Sequence, residues 1–305
     1  MGNQKINKNP LVSIVIVNYN TSEVTSQSLQ SILDNTIYSP YEIITIDNAS
    51  EKEDQNILKN FAESKNIPID IMNENIGWNR AVIYGFSKAK GDLLLTINSD
   101  VLVEKGWLTN MVETYFSEDL VGAVNANIIE DGKSVILARD NRLKLLHAAC
   151  SMFSSEAWNL VGDLDYKNFV FYGTENDWSY RARSMGYKLL LSEKARVNHL
   201  GTSTEFWTTG GGLSVQKTGK IKEHIQIRID GRIKIRAYNF KLKDWIQKDI
   251  LFEFKDALKN GYFLILVATY FRVFSNLINI YSARRERYFK MKNGIKIIES
   301  RNIHQ

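Results

Sequence analysis

Leu11-Val12-Ser13-Ile14-Val15-Ile16-Val17 is a mostly β-branched apolar run that breaks at Asn18-Tyr19-Asn20-Thr21-Ser22. An apolar run without polar alternation is the pattern of a strand covered on both faces, as in a mainly parallel sheet. The polar break offers N-cap residues, and Leu29, Ile32 and Leu33 then recur at helical spacing. The same alternation continues. A strand over Glu42–Ile46 stops at Asp47-Asn48-Ala49-Ser50, and a helix runs on to about Phe61. Ile69–Met72 reads as a short strand, Asn79–Lys90 as a helix, and Asp92–Ile97 as a buried strand ending at Asn98-Ser99-Asp100. Strands and helices alternating at this spacing predict an α/β sheet with helices on both faces. Ligands of such sheets bind beyond the carboxyl ends of the strands, where all three polar clusters fall.

Composition narrows the classes. With 44% apolar residues in 305, the chain has enough to bury a core, which excludes a disordered protein. Its one cysteine, Cys150, excludes a disulfide framework and a cysteine-based zinc site, and predicts a reducing compartment. The polar start lacks a signal-peptide core, and Ile6 stands where myristoylation needs Ser or Thr. The first strand is followed by no GxGxxG, and the chain holds no GxxxxGK[ST], so dehydrogenase and P-loop chemistry are disfavoured. Charge is divided unevenly. Residues 1–210 carry 19 basic and 26 acidic side chains, whereas 211–305 carry 20 and 8, for a net charge of +5. The predicted division is therefore a body over 1–210 and a basic extension over 211–305 with different contacts.

Acids at strand ends suit a metal-bound nucleotide. A carboxylate at Asp100 could ligate Mg²⁺ or Mn²⁺, which accept oxygen donors and leave positions for phosphate; equally, Asp100 could cap the next helix.

Five segments in order, each weak alone, resemble the family 2 glycosyltransferases, of GT-A fold and inverting, especially their rhamnosyltransferase-like branch. They are Val12–Asn20, Ile46–Ser50, Asn75-Ile76-Gly77, Gly91–Asp100, and Glu175-Asn176-Asp177-Trp178 followed by Arg181 and Gly186-Tyr187. The resemblance implies that Val17, Asn18, Tyr19, Asn20, Asp47, Asn75 and Ser99 hold the donor nucleotide, with Asp47 on the base. Asp47 could instead form an Asx turn with Ser50. Asn98-Ser99-Asp100 stands at the family's Asp-x-Asp position, so Asp100 is the implied ligand of Mn²⁺ or Mg²⁺, with His199 beside it and neutral Asn98 supporting. The family's acidic motif, usually Glu-Asp-x-Asp, falls at Glu175 and Asp177 in an imperfect match; Glu175 is the expected base and Asp177 the second candidate, while helix-start acids are the bland alternative. His147, His224 and His304 have no such support. Trp178 adjoins the acids and is a candidate for stacking on a sugar, whereas the other tryptophans read as core.

The implied activity is metal-dependent transfer from a UDP- or dTDP-sugar to a hydroxyl of a glycan or lipid-linked acceptor in surface polysaccharide biosynthesis. A non-catalytic nucleotide-sugar or glycan-binding module on the same fold is the alternative. Nucleic acid is not an expected partner, because no motif for it accompanies the basic extension. Gly210-Gly211-Gly212 reads as a flexible joint. Ile225–Arg236, apolar and basic in alternation around Asp230-Gly231, predicts a hairpin. Tyr262–Phe271 is apolar until Arg272, and Arg284, Arg285, Arg287, Lys290 and Lys292 follow Tyr281. That pattern fits either a helix lying in a membrane interface, with a cytoplasmic protein peripheral at the inner face, or a helix packed on the body or on a second copy.

Overall fold

The computed structural model describes residues 9–136, 138–169, 173–201, 231, 233–235, 237–239, 251–259, 261, 263–275 and 277–302. The chain divides into two compact units: Met1–Asn159 with Tyr187–Ser203, and Leu160–Gly186 with Thr204–Gln305. Residues 160–186, which the sequence reading places in the body, thus group with the basic C-terminal region.

In the first unit β1 (Val12–Asn18), α1 (Ser22–Asn35), β2 (Tyr41–Asp47), α2 (Lys52–Ser64), β3 (Ile69–Ile71), α3 (Trp78–Lys88) and β4 (Leu93–Asn98) follow the predicted alternation. Next come β5 (Val101–Val103), α4 (Trp107–Tyr115), β6 (Val121–Glu130), β7 (Lys133–Ser134) and β8 (Cys150–Ser154). The helix α5 (Ser155–Val161) closes this stretch. The second unit holds α6 (Thr174–Ser184), after which β9 (Lys188–His199) returns to the sheet. The sheet order is β3-β2-β1-β4-β8-β6-β9-β5, with β7 on β6. Strands β3, β2, β1 and β4 are parallel, as are β6 and β9; β8 runs antiparallel to both β4 and β6, and β5 antiparallel to β9. The result is a mixed, mostly parallel curled sheet flanked by helices.

Every residue of β1 is buried, as an unalternating apolar run requires. Ile14 and Ile16 pack in one core with Leu29 and Ile32 of α1. The Val15 face lies against α3 so closely that a Cβ on Gly85 would sit 2.5 Å from Val15 Cγ1. Only glycine allows that approach.

In the second unit Phe169, Ile233, Ile235, Tyr238 and Ala257 share a core with Leu266, Tyr270, Val273 and Ile280. Apart from Phe169, which precedes α6, these come from α7 (Leu251–Lys259), α8 (Phe263–Ser275), α9 (Leu277–Asn302) and helical residues among 231–239. The predicted hairpin is therefore corrected in its second arm. Ile-x-Ile satisfies a period of two, but Ile233 with Ala237 and Ile235 with Tyr238 also satisfy i, i+4 and i, i+3, and the shared core selects the helix. The first arm, Ile225–Asp230, and the Gly210–Gly212 joint lie outside the described residues. Among the described residues no single helix is long and apolar enough to cross a membrane.

Candidate functional site

Parallel strands β1, β2 and β4 end side by side, so the polar residues that terminate each apolar run meet at one sheet edge. Asn18 is the hub. Its Nδ2 donates to Asp47 Oδ2 at 2.8 Å and Asp54 Oδ2 at 2.9 Å, while its Oδ1 accepts from Thr21 Oγ1 at 3.1 Å and Thr25 Oγ1 at 2.7 Å. Amide nitrogen toward carboxylates and amide oxygen toward hydroxyls is the one orientation that satisfies every partner. Asp54 of α2 also accepts the Ser22 backbone N–H at the start of α1, which fixes the two helices against each other.

Asp47 is fully buried within this hub. Its Oδ1 accepts from Ser50 N at 3.0 Å, and its Oδ2 from Ser50 Oγ at 2.7 Å and from Asn18. Asp47 thus makes the Asx turn with Ser50 that the sequence left open beside a place on the donor base. Asn48, which the sequence reading passed over, donates to Asn75 Oδ1 at 2.9 Å and accepts from Ile76 N at 3.0 Å, tying the loop before α3 to the end of β2. Asn20, in the left-handed region at φ 54°, donates its N–H to Ser50 Oγ, and its Oδ1 accepts from Glu51 N. Val17 is buried beneath this edge, Tyr19 and Asn20 are partly exposed, and Asn75 is exposed. Ser99 Oγ accepts from Thr21 Oγ1 at 3.4 Å, and the half-buried Asn98 donates its backbone N–H to Ala149 O.

Asp100 sits in the turn between β4 and β5, fully buried, with Oδ1 3.4 Å from His199 Nε2. The antiparallel register of β5 on β9 sets Val101 opposite His199, and Leu200 N donates to Asp100 O at 2.9 Å. A pairing between residues 98 positions apart is thereby fixed by the sheet. On its other side the imidazole meets Glu130: His199 Nδ1 lies 2.7 Å from Glu130 Oε1, at the end of β6. Burial alone would depress the His199 pKa. The hydrogen bond and charge of Asp100, reinforced by Glu130, outweigh it and raise the value to about 9. This corner of the sheet thus favours positive charge.

Such a potential suits a divalent cation as well as a proton. Asp100 and His199 supply one carboxylate and one imidazole, and among the described residues no three His, Cys, Asp or Glu side chains form a cage. A partial donor set of this kind fits Mg²⁺ or Mn²⁺, which take one or two protein ligands and complete their sphere with phosphate and water. The imidazole favours Mn²⁺. Glu130 stands as the carboxylate that orients a ligating histidine. No motif marks it, because its position depends on β6 and β9 pairing across the sheet. His147, given no role from sequence, has its ring 6.4 Å from that of His199, edge to face; burial first, and then the His199 charge, lower its pKa. Cys150 is buried in β8, and burial pushes its thiol pKa up, which leaves it inert.

The acidic motif belongs to the second unit. Gly173, at φ 95°, caps α6 in a conformation that side chains rarely adopt, and a Cβ there would lie 2.9 Å from Ile235 Cδ1. Glu175 and Asp177 occupy the first turn, where the helix dipole favours anions. Glu175 retains an accessible edge within dense protein; burial raises its pKa, hydrogen bonds from the backbone and Thr174 oppose this in part, and the Asp177 charge adds the least.

Asp177 is a different kind of group. Its Oδ2 accepts from Arg181 Nε at 2.9 Å, and its Oδ1 from Asn239 Nδ2 at 2.7 Å and Arg287 Nη1 at 2.6 Å. Arg287 also pairs with Asp165 and lies over the Tyr238 ring at 4.8 Å. Asp177 is fully buried, with both carboxylate oxygens held by two guanidinium groups and an amide. The second candidate for the base is thus also a structural node. The expectation that Trp178 stacks on a sugar is corrected: it is fully buried, with Nε1 donating to Gly162 O at 3.0 Å, and has no face for a sugar.

Residues 13–144 match the family Glycosyl transferase family 2, a span that contains the whole β1–β4 edge and Asp100. An uncharacterized protein of Mycobacterium tuberculosis is 29% identical over 154 residues, which cover 45% of this chain and 59% of that protein. An undecaprenyl-phosphate 4-deoxy-4-formamido-L-arabinose transferase of Pseudomonas fluorescens is 32% identical over 125 residues, covering 38% of this chain and 36% of the transferase. The chain therefore spans less than two thirds of the length of these relatives. Among solved structures, a mannosyltransferase from Pyrobaculum calidifontis in complex with GDP-Man and Mn²⁺ superposes with a TM-score of 0.58 at 16% identity. That superposition covers 97% of this chain and 87% of that one, and it establishes the shared fold.

Proposed function

We propose that the chain is an inverting, metal-dependent glycosyltransferase that moves a sugar from a nucleotide-diphosphate donor to an acceptor hydroxyl. The observation that carries this reading is the Asp100–His199 pair at the end of β4, inside the stretch similar to family 2 glycosyltransferases. Asp100 and His199 would hold Mn²⁺ or Mg²⁺, which supplies charge neutralisation to the departing diphosphate. Glu130 keeps the imidazole aligned through Nδ1. The partly exposed Tyr19 and Asn20 and the exposed Asn75 line the donor side, on the footing built by Asn18, Asp47 and Ser50.

Glu175 acts as the base. Its raised pKa brings it nearer neutrality, where a carboxylate takes a proton more effectively. The acceptor oxygen attacks the anomeric carbon as the bond to the diphosphate oxygen breaks; the hydroxyl proton passes to Glu175, and the configuration inverts. The donor is a UDP- or dTDP-sugar carrying a hexose or deoxyhexose, and the acceptor is a glycan or lipid-linked oligosaccharide of a surface polysaccharide.

The test is a panel of nucleotide sugars with and without Mn²⁺, read by release of nucleoside diphosphate and by thermal shift. One donor should give Mn²⁺-dependent release. A thermal shift with no release under any condition would support the non-catalytic binding module instead.

A further inference from the structure

Helix α8 is apolar on two faces. Leu266, Thr269, Tyr270 and Val273 are buried in the core of the second unit, while Leu264, Val267, Phe271 and Phe274 form an exposed stripe at spacings of three and four. Leu264 is 80% exposed and Phe271 75%. Apart from Arg272 the helix carries no charge, and an apolar face on a helix is buried in a core or in lipid; the core covers one face of α8 and leaves the stripe exposed. On α9, bent 68° from α8, Ile278 is 86% exposed and Tyr281 is exposed as well. Beyond Tyr281 the helix turns cationic. Residues 277–302 hold seven basic and two acidic side chains, and Arg285, Lys290, Lys292 and Lys296 are exposed. In α8 there is no acidic residue at all.

Exposed apolar side chains on α8 and at the start of α9, followed by exposed cations, match the chemistry of an anionic bilayer surface, in which acyl chains lie beneath negative headgroups. We propose that the outward face of α8 and α9 docks the protein on an anionic lipid surface, with Leu264, Phe271 and Ile278 entering the acyl boundary and the α9 cations on the headgroups. Arg287 has no part in this, because it is turned inward to Asp177 and Asp165. The proposal stands apart from sugar transfer, since neither Asp100 nor Glu175 enters it.

The full chain is mixed with vesicles of phosphatidylcholine alone or with phosphatidylglycerol added, and the pelleted fraction is measured at low and high salt. Pelleting is expected with the anionic vesicles and should weaken as salt screens the cations. Leu264→Glu/Phe271→Glu/Ile278→Glu, at positions already facing solvent, should abolish it with the circular dichroism spectrum retained. Arg285→Gln/Lys292→Gln leaves the apolar stripe intact and should weaken binding by about fivefold for each cation removed. Protein that stays in the supernatant with anionic vesicles at low salt overturns the proposal. So does a wild-type dimer that the triple variant makes monomeric without any vesicle binding, because the stripe then belongs to a second copy.

Discussion

Asp100 and Asp177 are both fully buried carboxylates near the start of a local element, and a sequence motif points to each. Their surroundings differ in kind. Asp100 shares its corner with an imidazole whose far nitrogen is held by another carboxylate, so the local excess of charge is negative. Asp177 lies between Arg181 and Arg287 with Asn239 closing the remaining position, and its charge is neutralised within the fold. Burial by itself therefore does not mark a functional acid. What matters is whether the fold has already supplied the compensating cation.

The contrast can be broken most forcefully at Asp177. Removing one partner of a buried ion pair leaves an uncompensated charge, and here two guanidinium groups and an amide lose their acceptor together. Asp177→Ala should cost about 3–5 kcal/mol in denaturant unfolding, a large part of an ordinary domain's stability. A variant as stable as wild type with turnover lost would return Asp177 to the catalytic residues.

Glu175 should behave in the opposite way. Glu175→Gln should keep the unfolding midpoint and donor affinity while lowering turnover by about 100-fold or more. Because a base must be ionised to work, activity falls as pH drops through its pKa. With that pKa raised by burial, the acid limb of the kcat/KM profile should lie above the ordinary glutamate value of 4.5 and vanish in the variant. An unmoved limb would assign the base elsewhere.

The smallest effect sharpens the other side of the comparison. Glu130→Gln keeps the size of the side chain but removes the charge behind His199, and Mn²⁺ affinity, measured by calorimetry with UDP present, should fall by about 10–100-fold. Asp100→Ala should lose more than that with little change in melting temperature. If both variants bind Mn²⁺ as tightly as wild type, the metal does not lie at this corner.

Much of the first half of the molecule is legible in the chain itself. The β1 run and the breaks at Asn18, Asp47 and Asn98 mark strands whose ends meet, because unalternating apolar runs pair only when both faces are covered. Each break is local, so its position in the sequence also fixes its position at the sheet edge. Strands β6 and β9 were not legible. Val121–Glu130 is interrupted by Gly122, Asn125 and Asn127, and Lys188–His199 by Ser192, Glu193, Lys194 and Arg196; their pairing shifts register between Ala126 and Asn127. Those irregularities blur both periods at once.

The chain by itself determined which residue types stand at strand ends: an aspartate after β4, an acid pair opening α6, an apolar helix before a basic one. Tertiary structure alone decided what each does. It turned Asp47 inward to Ser50, enclosed Asp177 between arginines from positions 181 and 287, and set Glu130 behind a histidine 69 positions away. It also made a helix of Ile233–Ile235 by offering that spacing a core. The reason is range. Propensity and periodicity act over a few residues, whereas the charge and hydration of a buried side chain are set by whatever the folded chain brings within a few ångströms of it.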